Sequence, residues 1–187
     1  MNAFEYLAVL ISIVLGLGIT NVLSGFASMV RHRDRVTIYW PLLVWMAVLF
    51  LIHVQTWWAM FELREVRHWT FGGFLAVVMQ PVMLYLATSV LVPDFPAGGA
   101  IDLKQAYYRE TRWFFAGLIA VLVASLVRTP AVSGRLTNPS DFAAHLLFMS
   151  FAALGMFTRN EWVHKTSAVI GSVLYCSYIV ALFVQLS

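Results

Sequence analysis

The chain has 187 residues, of which 61% belong to the hydrophobic set and only 11% are charged, with a formal net charge of +3. An ordinary soluble domain is about 45–50% apolar and about 25% charged, and a fold of this size cannot keep such an apolar excess away from water. Soluble, disordered and collagen-like classes are therefore excluded, and the composition is that of a membrane-embedded chain.

The start, Met1-Asn2-Ala3-Phe4-Glu5, lacks a basic segment and a small-residue cleavage site follows no short apolar core. The first apolar run is accordingly expected to be a retained helix rather than a signal peptide. No lipidation motif is visible.

Residues 6–30, 36–61, 68–93 and 166–187 are free of Asp, Glu, Lys and Arg, and each meets the roughly 20 residues needed to cross about 30 Å of hydrocarbon. The run 113–127 is shorter. Tyr107 and Tyr108 precede it, and Arg109 and Arg112 can snorkel from a helix starting near Asp102. The run 142–158 sits at the lower limit but opens on Asn138-Pro139-Ser140-Asp141, a cap, a first-turn proline and an acid at the positive end of the dipole. The runs are apolar all round, whereas barrel strands would alternate.

These features predict an all-α, polytopic membrane bundle forming one domain over 1–187. Its six transmembrane helices are placed near 4–30, 38–62, 69–92, 106–128, 139–158 and 162–186. Five is the fallback if the fourth or fifth is re-entrant.

Loops after the odd-numbered helices hold Arg31, Arg33, Arg35, Lys104, Arg109, Arg112, Arg159 and Lys165. The opposite side holds Arg64, Arg67, Arg128 and Arg135. The positive-inside rule then puts both termini outside the cytoplasm, in a plasma or bacterial inner membrane. Arg31, Arg33 and Arg35 are expected to meet anionic lipid head groups, and nucleic acid is not an expected partner. The two triplets of helices show no convincing inverted repeat.

Helix 1 carries Ser12, Gly16, Thr20, Ser24 and Ser28 at four-residue spacing, with Gly18, Asn21 and Gly25 broadening the small and polar surface. Such a stripe lets another backbone approach closely, first as packing within the bundle and alternatively as the seam of a homo-oligomer. Ala116, Ala120 and Ala124 in helix 4, and Ala168, Ser172 and Cys176 in helix 6, repeat the spacing.

Polar residues inside the spans are the candidates for chemistry, because ionisable groups in lipid are functional suspects by default. His53 lies on helix 2 about 13 Å below Glu62, while Gln55 falls about 200° round from it, with Glu62 on a different face. Asp141 and His145 are one turn apart on helix 5, where a carboxylate can fix the imidazole tautomer. In helix 3, Gln80-Pro81 puts a polar side chain beside a mid-span proline that frees the Val77 carbonyl. His53, Asp141, His145, Gln80, Glu62 and Glu5 are therefore grouped as a candidate polar cavity in the outer half of the membrane. The plainer readings are buried packing histidines, a helix start at Pro139-Ser140-Asp141, and interfacial glutamates.

The parts for several chemistries are missing. No lysine lies inside a span, and no phosphate loop, zinc helix, nucleophile elbow, arginine ladder or potassium filter occurs. Glu161-Trp162-Val163-His164 has the spacing of a di-iron helix but occurs once, and the single Cys176 excludes an intramolecular disulfide or a cysteine cluster. No metal site or catalytic residue is assigned, and the balance points away from an enzyme. Three expectations follow: a channel- or transporter-type bundle for protons, ions or a small solute; a non-catalytic subunit packing through small-residue stripes; and a b-type haem or quinone protein with His53 and His145 as axial ligands. The haem reading must overcome a depth difference of about 7 Å between those rings.

Overall fold

The structure is a computed structural model that describes residues 3–66, 68–95 and 99–183. Arg67, counted among the loop charges, and the final residues of the sixth run lie outside the described residues. The helices are α1 (Ala3–Arg31), α2 (Trp40–Ala59), α3 (Phe71–Leu91), α4 (Leu103–Ser133), α5 (Pro139–Phe157) and α6 (Glu161–Phe183). A 3-10 segment, Met60–Glu65, continues α2. Five helices among the described residues, α1 to α5, are long and apolar enough to cross a membrane, and the protein is an all-α membrane helix bundle.

Local chemistry sets the helix ends. The Asp102 carboxylate accepts from the amides of Lys104 at 2.8 Å and Gln105 at 3.2 Å, so α4 starts at Leu103 rather than near residue 106. It also runs past Arg128 and Pro130 to Gly134, whose positive φ of 65° brings its amide to the Pro130 carbonyl at 2.9 Å. Asn138 caps α5 by accepting from the Ser140 amide. Thr70 caps α3 by accepting from the Gly73 amide at 3.0 Å.

Helix α1 packs on α2 and α3, α4 lies along α3 and α5, and α6 closes the ring against α2 and α5. At one end two short strands, β1 (Val36–Thr37) and β2 (Ile101–Asp102), pair in parallel with Val36 opposite Ile101. They tie the α1–α2 loop to the α3–α4 loop. No alternating pattern announces strands of two residues, and the sequence reading did not anticipate them.

Beneath this bridge lies an aromatic cluster. The Tyr39 ring lies tilted against those of Tyr107 and Tyr108, and His164 meets Tyr107, Tyr108 and Phe115. The His164 ring is wholly buried. A carbonyl can only accept, so Nε2 donates to the Thr158 carbonyl at 3.0 Å and Nδ1 accepts from the Tyr107 hydroxyl at 2.9 Å. Glu161 is turned to the surface, where it pairs with Lys104 at 2.6 Å and Lys165 at 2.8 Å. The Glu-x-x-His spacing is thus divided between an exposed ion-pair network and a buried packing histidine.

Close approach of helices occurs at particular glycines. A Cβ on Gly117 would stand 2.9 Å from the Ala87 Cβ and 3.1 Å from its Cα, so α3 and α4 touch nearly backbone to backbone. Burial gives helices little drive to associate in lipid, and such contacts supply the dispersion that holds them. On α1 the packed face is Leu7, Ile11, Leu15, Gly18, Val22, Gly25 and Met29, a spacing that mixes steps of three and four residues. Thr20 and Ser24 are exposed, Ser12, Gly16 and Ser28 are half-buried, and a Cβ on Gly16 would meet nothing within 4 Å. The strict four-residue stripe therefore winds away from the packed face.

Gly117→Val is expected to lower stability by about 1–3 kcal/mol through overpacking against α3, with Ala87→Gly recovering part of the loss, whereas Gly16→Val stays near wild type. Thermal unfolding in detergent measures all of these, and equal tolerance at positions 117 and 16 would contradict the close α3–α4 approach.

Candidate functional site

Four helices enclose a cavity of about 180 Å³, larger than an engineered apolar cavity of about 150 Å³ that holds benzene. Each wall is one face of one helix. On α4 the lining residues Phe115, Leu118, Val121, Leu122, Ser125, Arg128 and Thr129 recur at helical spacing, and α5 gives Asp141, Ala144, His145, Phe148, Phe151 and Ala152. Helix α2 contributes Trp45, Val48, Ile52, Gln55, Thr56 and Ala59, α6 contributes Gly171, Tyr175 and Tyr178, and Gln80 reaches in from α3.

The polar residues form two levels. Asp141 near the start of α5, Arg128 and Thr129 near the end of α4, and Tyr178 late in α6 mark the mouth. The Tyr178 hydroxyl donates to Asp141 Oδ1 at 2.9 Å, and His145 Nδ1 stands 3.4 Å from the same oxygen. The second level lies about 5 Å deeper by helical rise. There His145 Nε2 pairs with Ser125 Oγ at 3.1 Å, and the Tyr175 hydroxyl donates to Gln55 Oε1 at 3.4 Å.

His145 Nδ1 also faces the Asp141 carbonyl at 2.8 Å. Both of its neighbours are acceptors, so Nδ1 carries the proton, and in the neutral ring Nε2 accepts from the Ser125 hydroxyl.

Four groups at this cavity lack partners among the described residues. Trp45 Nε1, Thr56 Oγ1 and Gln80 Oε1 have no hydrogen bond, although Trp45 and Gln80 are each 8% and Thr56 1% exposed. The Arg128 guanidinium forms no ion pair or hydrogen bond among the described residues, while the charges of Glu62 and Asp141 reach it. Orphaned buried polar atoms are costly in a native interior, and a cavity where they converge is suited to water or a polar ligand.

The six residues grouped from sequence are divided by the structure. Asp141, His145 and Gln80 line the cavity. His53 does not. It is wholly buried, its Nδ1 donates to the Leu49 carbonyl at 2.8 Å, and its ring fills the space over Gly18, where a Cβ would lie only 1.9 Å from Nε2. That nitrogen has no partner, and it faces α1 rather than the cavity. Glu62 is exposed on the 3-10 segment beyond the mouth, and Glu5 is exposed near the start of α1.

The two imidazoles therefore occupy different spaces, and Gln55, on the other face of α2, is the residue that reaches the cavity, where it meets Tyr175 of α6. Sequence reasoning passed over Ser125, Arg128 and Thr129, although their spacing puts them on one face, and over Tyr175 and Tyr178, one turn apart on α6. Among the described residues no group of three His, Cys, Asp or Glu side chains is arranged to hold a metal ion.

No family model matches the chain, and no curated protein or solved structure matches it.

Tyr178→Phe is expected to cost about 1 kcal/mol, a charged hydrogen bond discounted because Asp141 is partly exposed. Asp141→Ala should cost more, about 2–3 kcal/mol, since Tyr178 and His145 both lose an acceptor. Unfolding midpoints in detergent give the order, and two unchanged midpoints would show that the carboxylate does not organise the mouth.

Proposed function

We propose that the protein is a transporter- or channel-type membrane bundle that admits a small solute, ion or proton from the extracytoplasmic side into the cavity between α2, α4, α5 and α6. The observation that carries this reading is the convergence of polar side chains from five helices on one space within the span, with three buried atoms, Trp45 Nε1, Thr56 Oγ1 and Gln80 Oε1, unpaired among the described residues. A subunit serving only to pack against others would fill that space with apolar side chains, because an unpaired polar atom in lipid has no compensating solvent.

The excess of Lys and Arg in the loops at the β1–β2 end supports placing that end in the cytoplasm, which puts the Arg128–Asp141–Tyr178 mouth on the outer face and both termini on that side. The haem reading loses support, because His53 and His145 share no space from which one iron could be ligated.

Accessibility of single cysteines tests the cavity. In a Cys176→Ser background, Ser125→Cys is expected to react with a membrane-impermeant maleimide added outside intact cells. Val123→Cys, on the outward apolar face of α4, is expected to stay unlabelled, and Arg33→Cys to react only after permeabilisation. Protection of Ser125→Cys from both sides of the membrane would overturn the cavity, and labelling of Arg33→Cys from outside would reverse the orientation.

A further inference from the structure

We infer that the ligand of this cavity is a short single-chain amphiphile, with an anionic head, a carboxylate or phosphate held by Arg128 at the mouth, and an apolar body of only a few carbons reaching inward between α4 and α5, the length that about 180 Å³ admits. The inference rests on the cavity reading above and adds the chemical class of the ligand.

The head-group argument starts from the guanidinium. Arg128 presents five N–H donors in a planar fork that matches a carboxylate or phosphate, and none is engaged by another side chain among the described residues. Asp141, the carboxylate lining the same mouth, has its Oδ1 committed to Tyr178 and to the ring of His145. Its charge moderates that of Arg128 without closing the fork.

The body argument comes from the gradient along the walls. From Arg128 to Phe115 the lining face of α4 runs about 20 Å, somewhat more than half of the hydrocarbon thickness. Below Ser125 that face is wholly apolar, through Leu122, Val121, Leu118 and Phe115, and Phe148 and Phe151 face it from α5. Between head and body the walls carry the polar residues Gln55, Thr56, Gln80 and Ser125. Such a band suits a hydroxyl or ester group next to the head, as in a lysophosphatidate, better than a plain hydrocarbon. A small hydrophilic anion would leave the apolar end unused, and an uncharged amphiphile would leave Arg128 without an anion.

Trp45 lines the apolar end of the cavity and serves as the reporter. The full chain in phosphatidylcholine nanodiscs is titrated with a short-chain lysophosphatidate carrying a dibrominated acyl group, whose bromines quench a neighbouring indole. Saturable quenching that disappears in Trp45→Phe is expected, and Arg128→Gln should raise the half-saturating concentration at least about tenfold. The dibrominated monoacylglycerol, which lacks the phosphate, should bind the unmodified protein at least about tenfold more weakly, a comparison that needs no variant to fold.

Equal binding of the charged and uncharged probes would overturn the anionic head while leaving the cavity reading intact. Full competition by inorganic phosphate at similar concentration would show that the site takes the free anion and overturn the amphiphile. Absence of any Trp45-dependent quenching would overturn this inference, and the cysteine labelling at position 125 would then decide separately whether the cavity itself stands.

Discussion

Lipid offers no reward for burying a leucine, so the bundle depends on how closely its helices can approach and on where their polar atoms end up. The contact of Gly117 with Ala87 expresses the first constraint, bringing α3 and α4 together almost at backbone distance. With that pair fixed, α4 presents its opposite face to α5, and α6 returns across to α2. The space at the centre of this ring is lined by the large aromatic residues Phe115, Phe148 and Phe151.

The two ends of the molecule treat polar groups in opposite ways. At the β1–β2 end the buried His164 has a partner on each nitrogen, and the tyrosines around it make a closed aromatic plug. Towards the other end Arg128, Thr56 and Gln80 stand without partners among the described residues, around an open volume. Saturated hydrogen bonding rigidifies, while unsatisfied groups keep a site available for something else. His53 falls between these cases. Its Nε2 is unpaired, but Gly18 is packed so closely over it that no ligand has room to enter.

The class of the fold was legible in the sequence because long neutral runs have few outcomes in a bilayer. The start of α5 was legible as well, since Asn138-Pro139 is a strong local signal. Pairing across helices was not. Helical periodicity separates His53 from Gln55 by most of a half-turn, but it carries no information on which of those faces meets the cavity. The choice fell on the histidine for its chemistry, whereas geometry brings the glutamine to the cavity. Arg128 was read as a boundary charge because it ends an apolar run. The helix continues beyond it to Ser133, and only that extra length turns the residue into part of an interior wall. The stripe on α1 shows the same limit from another side. Small residues every fourth position drift round a helix of 3.6 residues per turn, so the packed face follows Gly18 and Gly25 instead.

The pairing of Val36–Thr37 with Ile101–Asp102 also bears on how the chain is built. Its two halves are separated by all of α2 and α3, so this lock cannot close until the ribosome has delivered residue 102. By joining the α1–α2 loop to the α3–α4 loop, it fastens the first four helices together at one rim. The last two helices supply the remaining walls, so the central hollow exists only with them in place.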